Sequence, residues 1–274
     1  MSGRRWKLGL IPIGVFYATF FIVPMGHFLQ ASLYPSIGPA EQGSAATVQN
    51  YVRALSDPLL HRAIVNTLEL SVITSLGATA LAYPIAYTVA RSRTWGRYVF
   101  VVVVTVMFTS AVPRAMGWKA LLLSGGLVSM NHGFAAAAIG TVHASLPLAV
   151  IGLLPVCEAL PRNLLEAARG LGASSWTIFW HVILPLTERG VVAVALLLFA
   201  VTAGAFTTPA LLGGGRISLL SVLIRQELLQ VLDYGRGTTY AVILLALVSV
   251  VAVITSLVSS RRRAGHGPLG QARA

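Results

Sequence analysis

Charge is what this 274-residue chain has least of. Charged residues make up 10% of it, with 20 Lys and Arg against only 8 Asp and Glu, while 56% of residues are hydrophobic. About a quarter of a soluble globular domain is charged, so a water-soluble fold is excluded and an integral membrane protein is expected. One cysteine, Cys157, excludes an internal disulfide and leaves thiol usage silent on compartment. There are two lysines, Lys7 and Lys119, and neither follows a Gly-rich loop or precedes Ser or Thr. A Walker A phosphate loop is therefore missing, and the chain cannot hydrolyse ATP by that chemistry. The six histidines (His27, His61, His132, His143, His181, His266) form no i, i+4 pair and have no cysteine partner, so no bound metal is expected. The apolar runs contain no Asp, HExxH or Gly-x-Ser-x-Gly, which argues against a membrane-embedded protease or transferase. A non-transporting scaffold is the third class to weigh.

What the chain does have is six runs long enough to cross about 30 Å of hydrocarbon as helices, near 8–29, 70–90, 98–123, 134–157, 186–212 and 237–260. The third carries Arg114 and Lys119 in its second half, so its apolar part ends near 113, and the rest can emerge into a cavity or the interface. Positively charged loops stay in the cytoplasm. With both termini inside, that side holds Arg4, Arg5, Lys7, Arg91, Arg93, Arg97, Arg162, Arg169, Arg189, Arg261, Arg262, Arg263 and Arg273, 13 of the 20 cations. Five acids outside (Glu41, Asp57, Glu69, Glu227, Asp233) nearly offset the remaining 7. The net charge of +12 is thus mainly a topology signal, and without a basic patch interleaved with aromatics no nucleic-acid partner is expected. Arg4-Arg5 stands before 22 uncharged residues, longer than the roughly 7–15 of an export-signal core, so an uncleaved first span is expected.

Between the fourth and fifth runs lies a polar segment, 161–185, PRNLLEAARGLGASSWTIFWHVILP. Asn163 can cap a helix, with Glu166 three residues on returning the bond. Gly172 suits a left-handed helix end, Ser174 or Ser175 can cap a second short helix, and Pro185 is tolerated in the first turn of the next. The spacing Glu166-Ala167-Ala168, three residues, Gly172, nine residues, Val182-x-Leu184-Pro185 resembles the EAA loop of ABC importer permeases. Residues 50–91, with Tyr83-Pro84 before Ala86-Tyr87, resemble the first core helix of spermidine/putrescine-type permeases. The stretch Phe206-Thr207-Thr208-Pro209-Ala210-Leu211-Leu212-Gly213-Gly214 is similar to the Thr-Pro-x-Leu-Leu-Gly-Gly element of the same group.

This resemblance implies an all-α integral membrane protein with the MetI-like type I importer fold. Residues 1–62 would be an N-terminal membrane helix and external segment, 63–260 the permease core with its EAA loop, and 261–274 a basic cytoplasmic tail. The chain would be a non-enzymatic, multi-pass transporter subunit in a bacterial or archaeal cell membrane. It would work with an ABC ATPase dimer, a second and different permease subunit, an external solute-binding protein and membrane lipid. It would bind no cofactor itself, ATP and Mg being held by the ATPase. Glu166, Ala167, Ala168, Gly172, Leu184 and Pro185 would form the ATPase-coupling element. Trp176, Phe179 and Trp180 either pack on that partner or anchor in the interface. Candidates for the substrate pathway are Glu69, Tyr83, Arg114, Trp118, His143, Thr207 and Thr208. The charged residues among them can equally form an ion pair, and the threonines can bond their own backbone. Polyamine is the family-based substrate, with an anionic or zwitterionic solute, or ferric iron, as the alternative. The sequence reads Gly204-Ala205-Phe206 where several relatives carry Gly-Glu-Phe, so a carboxylate that could meet a cation is missing.

Overall fold

The computed structural model describes residues 12–34, 46–123 and 133–264. The early basic residues, Glu41, His132 and the tail from 265 lie outside them. Every regular element among the described residues is helical. They fall into two compact units, one ending at Ile64 and including Ser218–Ala246, the other comprising Val65–Ile217 and the residues from Leu247 onward.

In the first unit, α1 (Pro12–Ala31) turns its apolar window entirely outward, as a helix solvated by lipid would. Its one π-turn, Ala18–Ile22, directly precedes Pro24, which has no N–H to continue the ladder. Short α2 (Gln49–Leu55) is tied to the end of α1 by polar bonds. Asn50 Nδ2 donates to the carbonyls of Ser32 (3.2 Å) and Tyr34 (2.6 Å), and the Ser32 and Tyr51 hydroxyls lie 2.7 Å apart. The start of α3 (Pro58–Arg91), then α10 (Leu220–Gln226) and the start of α11 (Tyr234–Ala264), bury Leu60, Ala63, Leu220, Leu223 and Tyr240 around Ala54. Arg236 bonds Asp57 at 3.0 Å and the Tyr240 hydroxyl at 2.8 Å, and stands 3.7 Å from Glu227.

The second unit holds the rest of α3, then α4 (Arg93–Met107), α5 (Ala111–Leu123), α6 (Phe134–Glu158), α7 (Arg162–Gly170), α8 (Ser175–Gly204) and α9 (Thr207–Gly213). Small residues let these helices approach closely, as membrane packing favours. Ala78, Ala82, Ala86 and Ala149 are fully buried beside Leu153 and Leu198, and at Gly190 an added Cβ would collide with Val156.

Among the described residues, five helices are long and apolar enough to cross a membrane, and α4 with α5 makes a sixth if that bent pair is one span. Four expectations need correction. The third run is not straight: α4 and α5 meet at 98°, with the break at residues 108–110, inside the stretch expected to stay apolar helix to 113, because Pro113 needs no N–H partner in the first turn of α5. The fifth run stops at Gly204 and restarts at Thr207, again with a proline, Pro209, in the first turn of the new helix. The second short helix of 161–185 is no separate element, since Ser175 opens a helix that continues through a π-turn, Phe179–Ile183, past Pro185 to Gly204. Asn163 does not cap α7: extended Pro161 takes the cap position without a side-chain bond, which leaves Asn163 inside the first turn.

Candidate functional site

The segment 161–185 forms an elbow. Helix α7 is strongly two-faced: Leu165, 6% exposed, enters the core with half-buried Ala168 beside it, while Leu164 (48% exposed), Glu166 and Ala167 face outward. The end of α7 closes as a Schellman motif. Gly172, at φ +81°, donates to the Arg169 carbonyl at 2.9 Å, and Ala173 donates to that of Ala168 at 3.1 Å. Leu171, at the tip, is 89% exposed. Ser174 then caps α8, its hydroxyl accepting from the Thr177 N–H at 3.1 Å. Glu166 makes no capping bond. Leu184 is half-buried and Pro185 exposed, so the six proposed coupling residues are spread along one elbow.

The elbow is braced on the core from two sides. Phe179 sets its ring edge-on to Tyr83 at 5.8 Å, and the Tyr83 hydroxyl meets Thr187 Oγ1 at 2.7 Å. Arg91, at the end of α3, donates to the Leu160 carbonyl at 2.9 Å, just ahead of α7. Thr187 and Arg91 were not singled out from sequence. A hydroxyl in an apolar run ordinarily serves its own helix, and Thr187 does bond the Ile183 carbonyl at 2.9 Å, so its second partner left no signal.

The residues proposed for the solute pathway divide. Arg114, Trp118 and His143 come together where α5 meets α6. The Trp118 and His143 rings stand edge to face at 5.5 Å, and Arg114 donates to the carbonyl of Ala144 at 3.2 Å and to that of Thr109. One turn away, Thr208 and Leu212 of α9 pack on Gly140 so tightly that a side chain there would collide. Thr207 is half-buried. Tyr83 belongs with the elbow, bonded to Thr187, and Glu69 is exposed on α3. Both terminal nitrogens of Arg114 are committed to carbonyls, one at the chain break and one within α6, so this cation ties the corner to α6. Its Nε and His143 Nδ1 are buried with no partner.

Residues 78–264 match the family model described as binding-protein-dependent transport system inner membrane component. The chain is 30% identical over 223 residues to the spermidine/putrescine transport system permease protein PotB of Salmonella typhimurium, covering 76% of this chain and 77% of the relative. It is 28% identical over 275 aligned positions to the sulfate transport system permease protein CysW of Synechocystis, covering 95% of each. Among solved structures, a bacterial ABC transporter that imports the acidic polysaccharide alginate has a similar fold, with TM-score 0.70 and 19% identity over 94% of this chain and 96% of that one. The MetNI methionine transporter, in an inward-facing form, matches at TM-score 0.57 and 17% identity over 74% of this chain and 94% of that one. The chain belongs to the family of binding-protein-dependent transport system inner membrane components: it is a multi-pass permease subunit of an ABC importer, a transporter component and not an enzyme.

Proposed function

We propose that the elbow formed by α7 and the start of α8 is where this permease receives the ATPase stroke. Glu166, Ala167, Ala168, Gly172, Leu184 and Pro185 carry the contact and the turn. The observation behind this is the uncovered outer face of α7 and the elbow tip, including Leu164 and Leu171, on a segment otherwise anchored to the core. An apolar face beside polar Glu166 is what a protein partner covers. Closure of two ATPase subunits moves the elbow as a lever, and the attached spans switch the pathway between inward-facing and outward-facing states. The assembly contains this chain, a second and different permease, an ATPase dimer that holds ATP and Mg, and an external solute-binding protein. Both termini and the elbow are cytoplasmic. Residues 1–62 are an N-terminal membrane helix and external segment, 63–260 the permease core, and the tail from 261 a basic cytoplasmic tail. Glu166→Ala and Gly172→Val should each lower substrate-stimulated ATP hydrolysis in the reconstituted assembly while membrane insertion stays normal. Parental transport with normal ATPase retention in both variants would refute the coupling role.

Polyamine is the first substrate reading, supported by the PotB relative. An anionic solute is the rival. It is supported by the sulfate permease relative and by Ala205 where a carboxylate would greet a cation. With the partner subunits and matching binding protein in vesicles, stimulation of ATP hydrolysis by spermidine or putrescine supports the first reading. Stimulation by sulfate alone supports the second.

A further inference from the structure

Next to the elbow, α3 and α8 leave a cavity of about 460 Å³ between them, walled by Ala80, Pro84, Tyr87, Trp180, Leu184 and Val191 among others. Its volume is that of a small-molecule site, but the wall lacks the few convergent polar groups that orient such a ligand. Of the polar groups in the wall, the Tyr83 hydroxyl is already bonded to Thr187, and the Thr79 hydroxyl stands alone, buried without a partner. An apolar cavity of this kind excludes water and accepts hydrocarbon, and in a membrane-spanning chain the abundant hydrocarbon is the lipid acyl chain. A cation marks one end. The Arg91 guanidinium lies 5.6 Å from the centre of the Tyr87 ring that lines the cavity, and only one of its nitrogens, Nη2, is bonded, to the Leu160 carbonyl. A hydrocarbon slot with a cation beside it is complementary to an anionic phospholipid.

We propose that this cavity holds one acyl chain of an anionic phospholipid whose phosphate pairs with Arg91. The bound chain braces the π-turn Phe179–Ile183 against α3 at Pro84 and so stiffens the arm that leaves the elbow. The binding itself does not depend on the elbow's coupling role; only its effect on transport rests on that reading.

Native mass spectrometry of the assembled importer, after exchange into mixed phosphatidylglycerol and phosphatidylethanolamine, tests it. One phospholipid per chain should be retained, with phosphatidylglycerol favoured about fivefold, the preference that one basic residue near a membrane surface supplies. Ala80→Trp, which grows a side chain into the cavity from an exposed position, should abolish retention. Val191→Phe fills it from the opposite wall and decides the matter if the first variant does not assemble. Arg91→Gln should keep the lipid and lose the headgroup preference. Unchanged retention in the filled variants, equal binding of the two lipids by the parent, or cross-linking of Ala80→Cys to the second permease subunit in place of lipid would each overturn the proposal. Because lipid is counted directly, failure here leaves the coupling role of Glu166 and Gly172 untouched.

Discussion

Two corners of the same unit solve the same problem differently. Where α4 meets α5 at 98°, Pro113 offers no N–H to the Thr109 carbonyl, and the half-buried Arg114 takes that carbonyl and reaches across to the Ala144 carbonyl of α6. Where α7 meets α8, the turn closes on itself through Gly172, Ala173 and the Ser174 cap, with no cation and with Leu171 almost wholly exposed. In hydrocarbon an open backbone group costs several kcal/mol, so a corner there must be satisfied by the protein. In water, caps suffice, and the side chains stay available for a partner. One corner is closed by a side chain and the other by its own backbone and cap.

The strongest challenge to this contrast is Arg114→Leu. Removing the guanidinium leaves the Thr109 carbonyl without its donor and cuts the tie to Ala144, an expected loss of about 1–3 kcal/mol in unfolding from mild detergent micelles. A neutral result would make the inner corner as self-sufficient as the elbow. Gly172→Val comes next. Nothing lies within 4 Å of where its Cβ would stand, so the cost is the left-handed backbone alone, about 1–2 kcal/mol. It should appear as loosened coupling and faster proteolysis at the elbow, with the rest of the fold intact. Ser174→Ala should cost about 1 kcal/mol of helix-start stability and sharpen the same distinction, because the cap is the elbow's own device.

The first unit supplies the watery counterpart to Arg114. There Arg236 pairs with Asp57, but the arginine side chain is 45% exposed, so Asp57→Asn should cost no more than about 1 kcal/mol and less in high salt. Beside it, burial raises the Glu227 carboxyl above its ordinary 4.5; Arg236 opposes the shift, while Asp233 and Asp57 add to it. The folded state therefore holds that proton more tightly than the unfolded chain. Stability should fall as pH rises from the ordinary glutamate value through the raised one, and Glu227→Gln should flatten that slope in a pH series of thermal unfolding.

Composition alone gave the membrane class, and run lengths gave the spans. Gly172 and Ser174 could be read because each residue type answers a specific backbone need. The breaks at 108–110 and 205–206 could not be read from hydropathy. Phe108 and Phe206 are as apolar as a continuing helix requires, and Pro113 and Pro209 mark helix starts, where the eye expects a stop. The carbonyl partners of Arg114, one of them 30 residues away, carry no side-chain signature in the sequence. The hydroxyl partner of Tyr83, Thr187, lies 104 residues on and likewise carries no sequence signal.

The elbow as ATPase contact is tested most directly by a single cysteine at its tip, Leu171→Cys, in a Cys157→Ser background that removes the one native thiol. The expected result is a short-range cross-link to the ATPase subunit that halts substrate-stimulated ATP hydrolysis, together with protection from impermeant thiol reagents in intact cells. Labelling of that cysteine from outside, or an assembly that turns over normally with no ATPase cross-link, would contradict it.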